Sequence, residues 1–144
     1  NQDGLNTQIY NRCIGTRSCA VYCPYEVRYF NYNDHTWDSP LDQQLNPDVS
    51  VREKGVMEKC TFCIQRVRQA KDTAKDDGRR RVRDGEVQPA CVQTCPSQAM
   101  AFGDRNDPES NVSQTLAGPR AYRVLDELNT KSSVVYLKKV ETEA

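Results

Sequence analysis

Seven cysteines in three tight groups constrain this 144-residue chain more than anything else in it. Cys13, Cys19 and Cys23 form one group, Cys60 and Cys63 a second, and Cys91 and Cys95 a third. An odd count argues against a simple disulfide framework, and the close grouping argues more strongly against it. Two groups end in a Cys-Pro pair, Cys23-Pro24 and Cys95-Pro96. Proline fixes its own φ and has no N–H to donate, so the chain turns away just after the sulfur. Sets of this kind read as metal ligands.

The chain also needs such ligands. It is about one domain long, yet only 37% of it is hydrophobic and its mean hydropathy is −0.82. About 45–50% apolar content is usual for a globular domain, so a metal site or a partner surface must add cohesion. Lys+Arg and Asp+Glu balance at 20 each, which gives no reason to propose nucleic acid or anionic lipid. No run of 18 apolar residues exists, so no direct membrane span is expected. The opening "NQDGLNTQIY" has neither an initiator Met nor a secretory pattern, and reads as the start of a processed or partial chain.

Dense thiolate groups select zinc, copper(I) or iron–sulfur clusters. A C-x-x-C loop, as at Cys60–Cys63, lets two sulfurs bind one centre without strain. Zinc accounts for part of the pattern, as a tetrathiolate site of Cys60, Cys63, Cys91 and Cys95. That leaves Cys13, Cys19 and Cys23 one ligand short, with His35 as the only fourth and set in a polar loop. Two Cys-Pro endings fit iron–sulfur proteins better, where the Cys before Pro ligates the neighbouring cluster.

"CIGTRSCAVYCP" has nearly the spacing C-x2-C-x2-C-x3-C-P, but Thr16 stands where a second cysteine would be. A hydroxyl is a poor substitute for a thiolate. A cluster lacking one iron needs only three cysteines, so this group favours a three-iron cluster. One arrangement closes within the chain. Cys13, Cys19 and Cys95 hold a [3Fe-4S] cluster, and Cys60, Cys63, Cys91 and Cys23 hold a [4Fe-4S] cluster.

Between the groups the sequence predicts an opening turn at "NQDG", then strands at 5–10 and 25–34 and an ordered loop over 33–50. A short strand leads into Cys60. A helix over 64–77 ends at Gly78, and a turn lies at Asp84-Gly85. A strand over 97–104, a loop over 105–120, a helix over 121–129 and a β-rich end over 132–140 complete the reading. The fold class is α+β. Residues 1–104 form a cluster-binding region, and 105–144 a C-terminal extension.

The segments "YNRCIGTRSCAVYCPYEVRYFNY", "NPDVSVREKGVMEKCTFCIQRV", "DGEVQPACVQTCPSQAMAFGD" and "LDELN" resemble the four-cluster iron–sulfur subunits of membrane-bound bacterial redox complexes. "NRCIGTRSC" most resembles the iron–sulfur B domain of alternative complex III, a quinol-oxidising complex. Related subunits serve molybdopterin enzymes such as polysulfide, dimethyl sulfoxide and nitrate reductases. The likeness runs from about Gly4 to Leu137. "AVYCP" lacks the two Asn that precede the family's Cys-Pro, and "NTKSSVVYL" lacks a Pro often found there. Neither change removes a ligand.

The resemblance implies a ferredoxin-like fold and an electron-relay function, with no bond chemistry on this chain. It matches the third and fourth cysteine groups of that family, so it implies the C-terminal half of such a subunit. On the family's pairing, Cys13 and Cys19 share a [3Fe-4S] cluster with an upstream cysteine, and Cys23 completes a neighbouring [4Fe-4S] cluster. Cys60, Cys63 and Cys91 hold another, and Cys95 crosses to the last. The implied partners are the upstream segment, an integral quinol-binding subunit and a haem-bearing subunit. The implied place is peripheral, on the outer face of the cytoplasmic membrane. A molybdopterin reductase subunit, a self-contained ferredoxin and a structural zinc module remain as alternatives.

Other features are less specific. Arg66, Arg68, Lys71, Lys75, Arg79, Arg80, Arg81 and Arg83 form either a docking surface for an acidic subunit or a solvated face. Tyr22, Tyr25, Tyr29, Phe30 and Tyr32 either shield clusters from water or pack a thin core. Lys54 and Lys59 flank the second group, where a positive charge would raise a cluster's potential. No catalytic set appears.

Overall fold

A computed structural model describes residues 1–140; the last four residues of the expected extension, 141–144, lie outside the described residues. The protein is a small α+β chain of short helices and two-residue strands, in two compact units, Asn1–Gln65 and Arg66–Ala144. That division by compactness falls between Gln65 and Arg66, whereas the boundary at 104 follows cysteine content.

In the first unit, Asn1 closes the opening turn, accepting from Gly4 N–H at 3.2 Å through its carbonyl and from Leu5 N–H at 2.9 Å through its side chain. The strand expected over 5–10 does not form. Instead a single 3-10 turn, Tyr10–Arg12, delivers the chain to Cys13, whose N–H donates to the Tyr10 carbonyl at 3.0 Å. Helix α1 is one turn, Ser18–Val21.

Strand β1, Tyr29–Phe30, pairs antiparallel with β2, Met57–Glu58, in the register Tyr29–Glu58 and Phe30–Met57. The strand predicted from residue 25 is shorter than its alternation suggests because Glu26 takes a left-handed φ of 51°, which no strand residue adopts. Beyond the ladder, Asn31 N–H donates to the Val56 carbonyl at 2.9 Å, and Gly55 N–H returns to the Asn31 carbonyl at 2.7 Å. Met57 is 1% exposed and is the largest buried apolar side chain described. The 33–50 segment is loop as expected, with one 3-10 turn at Leu41–Gln44.

Helix α2, Ile64–Asp76, is the longest element and matches the predicted helix within a residue. Its end has a clear physical cause. Gly78 takes φ 71°, a left-handed conformation that glycine adopts without a Cβ penalty. Gly78 N–H then donates to the Lys75 carbonyl at 2.9 Å and Arg79 N–H to the Ala74 carbonyl at 2.8 Å. This is a Schellman cap, which satisfies carbonyls the helix leaves open. Arg79 next pairs with Asp77 at 2.8 Å and Glu86 at 3.0 Å, tying the helix end to the turn at Asp84-Gly85.

Helix α3 is the single turn Ala90–Gln93. The strand expected over 97–104 is absent, and Gln98 there has a left-handed φ of 49°. The loop expected over 105–120 contains helix α4, Asn111–Ala117. Ser110, 1% exposed, caps it by accepting from Ser113 N–H at 3.2 Å while donating to the Asp104 carbonyl at 2.7 Å. The helix expected over 121–129 is replaced by β3, Ala121–Tyr122, and a 3-10 turn, Asp126–Leu128. The β-rich end supplies β4, Tyr136–Leu137, antiparallel to β3 with Tyr122 opposite Tyr136. Those rings lie 5.8 Å apart.

Candidate metal centre

None of the seven cysteines is in a disulfide; Cys60 and Cys91 are exposed and the other five half-buried. The first unit carries Cys13, Cys19, Cys23, Cys60 and Cys63, and the second carries Cys91 and Cys95. Among the described residues, no three His, Cys, Asp or Glu side chains are gathered into a set that could hold a metal ion.

Cys13 sits just before the left-handed Gly15. That glycine is required, because a Cβ there would lie 2.4 Å from the Gly55 carbonyl oxygen and 3.3 Å from the Phe30 ring. The close approach brings the 13–19 loop against β2, and Met57 N–H donates to the Cys13 sulfur at 3.3 Å. Thr16 lines a cleft of about 540 Å³ with Ala20 and Phe30. The Arg17 guanidinium lies 5.3 Å from the centre of the Phe30 ring, within range of a cation–π contact. Cys19 lies on α1, half-buried.

Cys23 ends that group, and Glu26 N–H turns back to its carbonyl at 3.2 Å. Burial pushes the Cys23 thiol up, but the N–H groups of Val27 and Tyr25 and the Arg28 guanidinium outweigh it and hold the thiol below its ordinary value. Arg28 is itself held by Gln8, whose Oε1 accepts at 2.7 Å. Nearby, burial lowers the Lys59 ammonium against the pull of Cys60. Lys59 Nζ donates to the Asn6 carbonyl at 2.5 Å and to the Cys60 carbonyl at 2.9 Å.

In the second group the backbone is wound left-handed at two successive residues, Phe62 at φ 54° and Cys63 at φ 50°. Each such non-glycine residue costs about 1–3 kcal/mol. The bend turns Phe62 N–H toward the Cys60 sulfur, 3.4 Å away. In the third group the Ser97 hydroxyl lies 3.4 Å from the Cys95 sulfur. The Ser97 hydroxyl and the N–H groups of Ala99, Ser97 and Met100 hold the Cys95 thiol below its ordinary value.

These contacts fit thiolate ligation. Cysteine binds metal as the thiolate, and N–H and O–H groups aimed at sulfur stabilise that form. Sequence reasoning found the cysteines but missed the Arg28–Gln8 bond and the left-handed bend at Glu26 between Cys23 and Arg28, for which "PYEVR" carries no glycine signal.

No protein-family model matches the chain. It is 46% identical over 142 residues to the iron–sulfur cluster-binding subunit of menaquinone reductase from Nitratidesulfovibrio vulgaris, covering 97% of this chain and 56% of that one. It is 36% identical over 142 residues to iron–sulfur subunit 1 of an Hdr-like menaquinol oxidoreductase from Archaeoglobus fulgidus, covering 94% and 47%. With the B subunit of polysulfide reductase from Wolinella succinogenes it shares 32% over 131 residues, covering 91% and 50%. The chain spans about half the length of these curated relatives. No helix among the described residues is long and apolar enough to cross a membrane.

Proposed function

We propose that this chain is an electron-relay element of a membrane-bound quinol-oxidising complex of the alternative complex III type, with a ferredoxin-like cluster-binding fold. Its seven cysteines are the ligands of a [3Fe-4S] cluster and of [4Fe-4S] clusters, which supply reversible one-electron storage when bound. The observation that carries the reading is the grouping of the seven cysteines, three of whose sulfurs face a donor: Cys13 the Met57 N–H, Cys60 the Phe62 N–H and Cys95 the Ser97 hydroxyl. The menaquinone-linked relatives support it.

The ligand assignment follows the pairing that the resemblance implies. Cys13 and Cys19 would serve the three-iron cluster with a cysteine from another segment, and Thr16 would offer it no thiolate. Cys23 completes a four-iron cluster. Cys60, Cys63 and Cys91 serve a second, and Cys95 crosses to a third. The partners are an integral quinol-binding subunit and a haem-bearing subunit, and the place is the outer face of the cytoplasmic membrane. The likeness to the polysulfide reductase subunit favours a second reading, the electron-transfer subunit of a molybdopterin reductase. The cysteine chemistry is the same in both.

Iron, zinc and acid-labile sulfide per chain, on protein purified without oxygen, test the proposal. Little iron on the chain alone, restored when the missing cysteine groups are co-expressed, supports it. A full three-iron plus four-iron content on the chain alone replaces the shared pairing with a self-contained ferredoxin. Zinc without sulfide overturns the electron-relay reading altogether.

A further inference from the structure

Cys91 is an exposed residue on a single helical turn, α3. Bonds within the turn give it its shape. The N–H groups of Val92 and Gln93 donate to the Pro89 carbonyl at 3.0 Å, and the Thr94 hydroxyl donates to the Ala90 carbonyl at 2.8 Å. A helix this short is marginal by itself, and its internal bonds attach it to no other element. Arg66 supplies an attachment. From α2, its Nη1 donates to the Gln88 carbonyl at 2.6 Å and to Gln93 Oε1 at 2.7 Å. That nitrogen carries two hydrogens, so it can serve both acceptors at once. The acceptors lie on either side of Cys91, three residues before it and two after. Arg66 opens the basic run that ends at Arg83, yet it is half-buried and bonded to the Cys91 turn.

We infer that Arg66 is a positioning residue for Cys91, holding its turn against α2 for cluster ligation. This rests on the electron-relay reading above. On the proposed assignment, Cys60, Cys63 and Cys91 would serve one four-iron cluster. Cys63 directly precedes α2, and Arg66 is three residues further along the chain. The helix that follows one ligand therefore grips the turn that carries another. Ordering an exposed side chain and its short turn costs conformational entropy. A tether present beforehand takes part of that cost away from ligation. Cys95 lies past both acceptors and has its own partner in Ser97, so loss of the tether falls first on the Cys91 cluster.

The test strips iron from the complete cluster-loaded subunit in its complex with a ferrous chelator, bathophenanthroline disulfonate. Electron paramagnetic resonance of the reduced clusters follows each signal, and the four-iron signal that C91S removes or alters marks the Cys91 cluster. R66A removes both bonds, Q93A removes one, and Q93E keeps an acceptor in place. Half of the Cys91 signal should disappear at about tenfold lower chelator concentration in R66A than in the parent. Q93A should shift that concentration partway, and Q93E should match the parent. The other signals should keep the parent's dependence on chelator. If R66A loads no clusters, Q93A against Q93E decides on the same readout. An unchanged Cys91 signal overturns the inference and leaves the relay function standing. So does an equal shift of every signal, which would make the bonds purely structural. A parent protein without iron or labile sulfide overturns the relay function itself.

Discussion

The backbone N–H of Met57 points at the sulfur of Cys13 across 3.3 Å. Met57 is at once the most deeply buried apolar residue described in the first unit and a donor to a candidate ligand. Packing and ligation in that unit thus share one residue, through its side chain and its main chain respectively.

Truncating the Met57 side chain separates those roles. M57A should destabilise the first unit by about 2–5 kcal/mol, as for other buried Met-to-Ala changes, while M57L should cost less than about 1.5 kcal/mol. Urea unfolding of the loaded protein, followed by loss of cluster absorbance, checks both. Equal midpoints for M57A and the parent would show that the thin core contributes little.

Gly15 offers a sharper case. G15A places a Cβ 2.4 Å from a backbone oxygen, whereas a Cβ on Gly4 meets nothing within 4 Å. Both glycines have positive φ, so both alanine variants lose left-handed preference, at about 1–2 kcal/mol. Only G15A must also move the backbone beside Cys13. Thermal melting should show a small decrease for G4A and a larger one for G15A, which should also lose iron. Matching decreases would refute the close approach.

On the proposed three-iron assignment, Thr16 sets the cluster type. T16C supplies the fourth thiolate of the spacing, so the loaded complex should gain about one iron per chain. Its oxidised three-iron resonance should disappear as a reduced four-iron signal replaces it. Persistence of the three-iron signal would remove Thr16 as the cause of the cluster type.

Acid should weaken the cap of α2. Arg79 and the Arg83 N–H hold the Glu86 carboxyl below its ordinary value of 4.5. A carboxylate depressed in the folded state stabilises it at pH values above the unfolded pKa. That stability is lost as pH falls through the lower folded pKa. E86Q should therefore flatten the stability profile below about pH 4.5 and leave its shape near neutrality unchanged. Glu86 is solvent-exposed at the surface of the turn, so added salt should reduce the difference. An acid limb of the same slope in E86Q would mean that other carboxylates carry it.

The sequence revealed what depends on local signals. α2 was legible because thirteen residues of helical pattern end at a glycine, and Gly78 is where the cap forms. The cysteine groups were legible because ligand spacing is a property of neighbours. β1 and β2 were placed correctly but overextended, because the bend at Glu26 is made by a residue with no turn signature. α4 was missed despite its Ser110 cap and Gly118 stop, since seven residues with Val, Ser, Thr and Asn carry weak helical preference. Its cap is fixed instead by the carbonyl of Asp104, six residues before Ser110. The 121–129 segment was misread because pairing with 136–137 overrode its helical pattern. Which cysteines would share a cluster depends on contacts between distant segments, which spacing alone does not encode.

The donors that face the sulfurs have a bearing on inheritance. At Cys13 and Cys60 the hydrogen bond comes from the main chain of Met57 and Phe62, and at Cys23 partly from that of Val27 and Tyr25. A point mutation can delete a side chain, but only a change to proline deletes an N–H. The surroundings of the cysteines can therefore drift in sequence while the sulfurs keep their partners, provided the bends at Gly15, Glu26 and Phe62 survive.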